Sequence, residues 1–406
     1  MDSERPARPF EPAGGAAQEP DFSLVIGGPL FQLLRRAHLS DGALELVRRR
    51  VGVIVLIAWL PLLVISLLQG KATKGTVALP FLLDLELHVR FLFALPLLVI
   101  AEIVVHRRMR GIVRLFRERN IVAEADLSCF HAAIESAFRL RNSVVVEVLL
   151  LAIVYGAGIQ VFWRHYIALN VETWYATPSA GGPILSVAGI WYGYVSLPIF
   201  QFLLCRWYFR VFIWARFLFR VSRLKLELVP THPDRLGGLG FLANTVYAFA
   251  PLAAAHGAML AGPFANRIFY MGASVTEFRM EAIALVVFVL CMVFGPLLVF
   301  VPRLSEARRT GLLEYGTLAE RYARAFDDKW LRGGAAANEA LLGSGDIQSL
   351  ADLGNSLEVI RSMRAIPITR DALLQLGIVT FAPMLPLLLT AMPLEDLLKR
   401  LFGLLF

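Results

Sequence analysis

Four ionisable residues lie inside stretches that are otherwise apolar: Glu102, His106, Glu147 and His256. Placing such groups in hydrocarbon is costly, so each is a functional candidate by default. Glu102 and His106 stand four apart and share a helix face. A carboxylate and an imidazole on one face can relay a proton, hold a cation or, with further ligands, hold a metal. The plainer use of the same acids is pairing with buried arginines, and Arg107, Arg206 and Arg210 are candidates for that. No His-Glu-x-x-His run accompanies them, so the sequence leaves a metal unknown.

A second set is basic. Arg206, Arg210, Arg216, Arg220 and Arg223 punctuate an apolar, aromatic-rich run. On a helix they fall within an arc of about 140°. Such a stripe can line an anion vestibule or hold lipid phosphates; simple snorkelling to the interface is the plainer alternative. The third set is the run from Thr231 to Leu242, with His232 and Asp234 ahead of Gly237, Gly238 and Gly240. Glycines permit positive φ and close backbone approach. Free amides of Gly237 and Gly238 at a helix start can hold a phosphate or carboxylate. The alternative is a tight hairpin in which Asp234 satisfies local amides. No strand precedes these glycines, so they are not a dinucleotide fingerprint, and no cofactor is expected.

The elements that must position these residues follow from composition. The chain has 406 residues, 57% hydrophobic and 18% charged, with a net charge of +8 and a mean hydropathy of +0.63. Soluble domains carry about 25% charged residues. So apolar a chain needs a bilayer as solvent. The positive charge sits in loops beside apolar runs, where anionic lipid headgroups are the natural partner; no nucleic-acid recognition motif accompanies it. Cys129, Cys205 and Cys291 have no paired spacing, which excludes a disulfide framework or a zinc ribbon.

Apolar runs predict membrane segments at about 51–69, 89–106, 143–163, 185–213, 239–264 and 281–301, and a proline-broken seventh at 372–392. The expected fold is an all-α polytopic bundle. Residues 1–22 read as a disordered cytoplasmic leader, 23–50 as interfacial and cytoplasmic helices, and 393–406 as an amphipathic tail. A cytoplasmic helix is expected over 123–141 and a cytoplasmic helical region over 302–371. Within that region Leu312, Tyr315, Ala319, Tyr322, Phe326 and Trp330 form one apolar seam. Leu350, Leu353, Leu357 and Ile360 form another. Seams of this kind pack on each other or across subunits, so a homo-oligomer is expected. With the N-terminus inside, 32 of the 40 basic residues fall on the cytoplasmic side, which sets that orientation. This topology puts Glu102, His106, Glu147, His232 and Asp234 at one depth, near the inner leaflet.

His232-Pro233-Asp234 followed by Gly237-Gly238-Leu239-Gly240-Phe241 resembles a motif in a family of bacterial multi-spanning inner-membrane proteins. Ile366-Pro367 ahead of Leu373-Leu374-Gln375-Leu376 and a proline-broken apolar run is similar to the ends of the same proteins. The resemblance implies residence in a bacterial inner membrane; the family carries no assigned activity. The intramembrane ionisable groups favour a channel or transporter for a small ion or solute. The alternatives are a scaffold or sensor that binds a partner through its cytoplasmic helices, and, behind both, a membrane enzyme acting on lipid headgroups. No nucleophile motif supports an enzyme.

Overall fold

The computed structural model describes residues 22–36, 46–73, 75, 77–158, 172–179, 183–336, 339–341 and 343–390. The expected leader, apart from Phe22, and the expected tail lie outside the described residues. The described chain is built of helices: α1 (Pro29–Arg36), α2 (Val47–Leu68), α3 (Leu85–Glu118), α4 (Leu127–Arg141) and α5 (Val144–Gly156). After a two-stranded hairpin, β1 (Ala176–Thr177) and β2 (Ile184–Leu185), come α6 (Val187–Ser222), α7 (Leu239–Met271) and α8 (Val275–Leu331). The short α9 (Gly345–Arg361) and α10 (Arg370–Leu388) close it. Among the described residues six helices, α2, α3, α6, α7, α8 and α10, are long and apolar enough to cross a bilayer. Their outward faces carry bare apolar side chains such as Leu68, Phe93 and Phe212. The protein is an all-α, multi-pass membrane bundle.

Several long helices change pitch locally. Wider π turns occupy Val89–Ala94 of α3 and Tyr192–Ser196 of α6, just ahead of Pro96 and Pro198. Tighter 3-10 turns run over Gly295–Phe300 of α8 and Ala382–Met384 of α10, beside Pro296 and Pro383. A proline lacks the N–H and crowds the carbonyl four residues back, so the ladder changes pitch rather than stopping. The helix of the sixth segment therefore does not stop at Pro302 but runs on to Leu331, about 45 Å beyond that proline at 1.5 Å per residue.

At the centre α7 packs against α3 on one side and α10 on the other. Small residues set this approach: Gly257, Ala253, Ala255, Ala258 and Ala261 are buried along α7. A Cβ on Gly257 would sit 1.9 Å from the Thr380 carbonyl of α10, and one on Gly262 2.8 Å from Glu86 Cα of α3. Backbones this close gain dispersion and leave no room for larger side chains. At the other end Phe116 of α3 meets Phe241 of α7 and Phe300 of α8, so α3 and α7 run antiparallel.

Several expected elements take a more particular form. The interfacial segment expected over 22–39 with an interruption at Gly27-Gly28-Pro29 is helical over Pro29–Arg36, while Phe22–Gly28 is irregular chain inserted into the bundle; residues 37–39 lie outside the described residues. Gly27 and Gly28 take φ of +129° and +87°, which breaks any helix there. The third span, expected over 143–163, is helical over Val144–Gly156; residues 159–171 lie outside the described residues. In the seventh, α10 is interrupted where its prolines predicted. The two apolar seams of the 302–371 region meet each other: α8 packs on α9, with Ile360 fully buried and Tyr322 Oη donating to the Asp346 carbonyl at 3.2 Å.

Candidate functional site

The helical period of α3 that buries Leu95, Leu98, Val99 and Val105 also buries Glu102. The equivalent period of α6 buries Leu203, Trp207 and Trp214 together with Arg206 and Arg210. Packing these two faces puts both arginines on Glu102. Arg210 Nη2 donates to Glu102 Oε1 at 2.7 Å, and Arg206 Nη1 stands 3.8 Å from the same oxygen. Arg50, one turn into α2, approaches Glu102 Oε2 at 2.5 Å without hydrogen-bond alignment. Arg206 Nη2 reaches Glu147 Oε1 of α5 at 3.4 Å, again as a charge contact only. Trp207 braces the group: its indole N–H donates to Leu98 O at 2.9 Å and its ring carries the Arg210 guanidinium at 4.7 Å. Arg50, Glu102, Arg206 and Arg210 are all at least 94% buried.

The inserted N-terminal segment closes this cluster. Leu30 N–H donates to Glu147 Oε2 at 2.8 Å, and Arg141 Nη1 to the Ser23 carbonyl at 2.6 Å. His106 Nδ1 pairs with Ser23 Oγ at 2.9 Å. A Cβ on Gly28 would stand 2.9 Å from Arg141 O and 3.3 Å from Glu147 Oε1, so backbone alone fits. Phe22 anchors the segment in an aromatic nest of Phe138, Trp214 and Phe217. Burial first, and Arg210 second, bring the Arg141 guanidinium down to about 10.

Three arginines and two glutamates make the buried group net positive, and Arg141 beside it adds a fourth guanidinium. Of its four ion pairs only Arg210–Glu102 carries an aligned hydrogen bond. A partly satisfied charge network in a low-dielectric interior is unfavourable on its own, and its field attracts an anion.

The structure therefore brings Glu102, Glu147, Arg206 and Arg210 together and joins His106 to them through Ser23. It adds Arg50, Arg141 and Ser23, which sequence reasoning treated as boundary or interface residues. For Arg50 the signal was the arginine triplet Arg48–Arg50 at the head of an apolar run, whose last member lies inside the helix; Arg141 and Ser23 carried none. Arg216 and Arg220 lie further along α6, half-buried, with no ion-pair partner among the described residues.

His232 and Asp234 are not at this depth. Gly238 of their loop abuts Ile121, beyond the end of α3, whose helix extends about 24 Å past Glu102. The loop is satisfied internally. Asp234 accepts from Leu236 N at 2.8 Å, Gly238 N at 3.2 Å and Gly240 N at 2.8 Å, and pairs with His232 Nδ1 at 2.9 Å. Arg235, Gly237 and Gly238 take positive φ to allow it. The Gly238 amide thus faces Asp234, and the Gly237 carbonyl accepts from Val229 N at 3.2 Å. The elbow uses the Gly238 and Gly240 amides for its own turn.

His256 is buried in α7 apart from the Glu102 group. Its Nδ1 lies 2.8 Å from Leu252 O and its Nε2 2.9 Å from Tyr208 Oη. The carbonyl requires a donor, so Nδ1 carries the proton and Nε2 accepts from the tyrosine. Among the described residues no three His, Cys, Asp or Glu side chains are grouped to hold a metal.

A second polar layer was not anticipated. Asp84, Glu86, His88 and Arg90 alternate just ahead of the apolar part of α3. Asp84 is buried, accepting from Trp174 Nε1 and Asn266 Nδ2, each at 3.0 Å. Arg90 pairs with Glu86 and donates to Tyr192 Oη at 2.5 Å, and His88 Nδ1 accepts from Trp59 Nε1 at 3.1 Å. Alternation of charge at the rim of a span is the only signal in the sequence, and rim charges cost little there. Arg90 and Glu102 are about 18 Å apart along α3, with buried Phe91, Ala94, Leu95 and Leu98 between.

The chain matches no protein-family model, no curated protein and no solved structure.

Proposed function

We propose that this integral membrane protein is a transporter or channel for a small anionic solute, held here in a closed form. The observation that carries the reading is the buried, net-positive Arg50–Glu102–Arg206–Arg210–Glu147 group. Replacing a buried ion network by well-packed apolar residues is often neutral or stabilising. A bundle that only has to fold therefore gains little from keeping five charges inside the membrane. The second polar layer around Asp84 and Arg90, the close apolar packing of Phe91, Ala94, Leu95 and Leu98 between the layers and the inserted Phe22–Leu30 segment fit a path closed at both ends. The charge count supports a cytoplasmic N-terminus, and with the motif resemblance it favours a bacterial inner membrane.

Flux into liposomes holding the purified chain tests this. Chloride and phosphate movement above empty liposomes is expected, with weaker cation movement, and Arg206→Gln reduces the anion preference. Absence of flux for anions, cations and protons alike across a pH series overturns it. A scaffold role is the second reading, favoured by the α8–α9 arm. It projects about 45 Å past Pro302 and leaves Leu313 and Leu331 about 70% exposed. Such a scaffold binds its partner equally well when the arginines of the buried group are replaced. A homo-oligomer formed through the same arm belongs to either reading.

A further inference from the structure

The α7–α8 hairpin and the end of α10 enclose a crevice of about 420 Å³, the size of a small-ligand site. It is distinct from the charged group: Gly262 against Glu86 places this end of α7 beside the start of α3, away from Glu102. Its wall is apolar, built from Phe264, Ile283, Val286, Phe381 and Leu387 among others; its polar residues are Thr276 and Arg279. Phe264 and Phe278 stack at 4.3 Å to form one side.

The polar residues are not scattered. Arg279, Ala282, Ile283, Val286 and Val287 recur at helical spacing along α8, so one face runs from a guanidinium into pure hydrocarbon over about 12 Å. The nearby acids do not neutralise it. Glu281 is about 200° round the helix from Arg279. Glu277 accepts from Ser274 N at 3.0 Å in a capping box. Arg279 has no ion-pair partner among the described residues. Arg267 lies over the Phe278 ring at 5.7 Å and adds a second positive charge.

We propose that this crevice binds an anionic phospholipid, with one acyl chain between α7, α8 and α10 and the phosphate at Arg279. A crevice walled by carbon and facing hydrocarbon does not hold water. A chain topped by a negative head matches its apolar length and its single charged end. The assignment stands apart from the transport reading and does not depend on it.

Native mass spectrometry of the full chain tests it, in micelles containing equal phosphatidylglycerol and phosphatidylcholine. The wild type retains one phosphatidylglycerol. Ala282→Phe, which fills the crevice, loses it. Arg279→Gln keeps a lipid but loses about fivefold in preference for phosphatidylglycerol, the effect of one basic residue beside a phosphate. Because this second variant reads a preference, it stands even where Ala282→Phe disturbs folding. No retained lipid in the wild type, or an unchanged preference in Arg279→Gln, overturns the assignment. So does a gain of lipid on truncation after Thr390, which assigns the crevice to the chain's own end.

Discussion

Glu102 faces three guanidinium groups, at 2.5, 2.7 and 3.8 Å. With an effective dielectric of about 20, each of the two near contacts represents about 6 kcal/mol of gross attraction. Desolvation of the ions and repulsion among the arginines offset most of it. Glu102→Gln keeps the shape, removes the charge and strands Arg50 and Arg210. Breaking a buried pair from one side costs about 3–5 kcal/mol. Unfolding in mixed micelles titrated with a denaturing detergent measures this as a lower midpoint. The companion variant replaces the group symmetrically, as Glu102→Leu with Arg50→Met and Arg210→Met. It leaves Arg206 paired with Glu147, and its stability should return to within about 2 kcal/mol of wild type. Its anion flux should nonetheless be lost, because two guanidiniums are gone. A Glu102→Gln protein that unfolds within about 1 kcal/mol of wild type would refute the buried, coupled network. A triple variant that folds and still transports anions would refute the role given to it.

Phe22→Ala empties the nest formed with Phe138, Trp214 and Phe217 and should cost about 3–5 kcal/mol; limited proteolysis should then cut within residues 22–30, and an uncut segment would show that Phe22 does not hold it. Gly257→Leu cannot fit with Thr380 O 1.9 Å from the first added carbon, so α7 and α10 must separate. An unfolding midpoint equal to wild type would contradict that packing. At the elbow, burial pushes the Asp234 carboxyl up, but the amides of Leu236, Gly240 and Gly238, with His232, outweigh it and hold it below its ordinary value. Its stabilisation is therefore complete above the unfolded carboxylate's pKa of about 4 and is lost as pH falls through the lower folded value. Asp234→Asn should flatten that acid-side decline in a pH series of thermal unfolding; identical profiles would argue against the elbow's charge. Cys129 is exposed on α4. In spheroplasts it should react with an impermeant maleimide only after permeabilisation, and labelling of intact spheroplasts would reverse the proposed orientation.

Much of the fold was legible in the residue order. Apolar runs of span length mark helices wherever they occur, because hydrocarbon demands an internally bonded backbone. The all-α multi-pass class follows from that, and the prolines of the last apolar run marked its break. The choice of Glu102, Glu147, Arg206 and Arg210 as residues that do not belong in lipid followed too. Their mutual pairing was one of two uses the sequence left open, because periodicity gives the face of each helix and not the helix it meets. Which charges share a cluster is a property of packing. Arg50, Arg141 and Ser23 joined only when α2, α4 and the N-terminal segment closed around Glu102. His232 and Asp234 dropped out because α3 and α6 continue beyond the membrane level, carrying the elbow about 24 Å away. The burial of Phe22–Gly28 had no periodic signature, since irregular chain is held by side chains from four other elements rather than by its own ladder. The residue order determined that this protein lives in a bilayer and which groups are costly there; the tertiary structure alone decided which of those groups meet, because contact across helices depends on close approach at residues such as Gly257, Gly262 and Gly28.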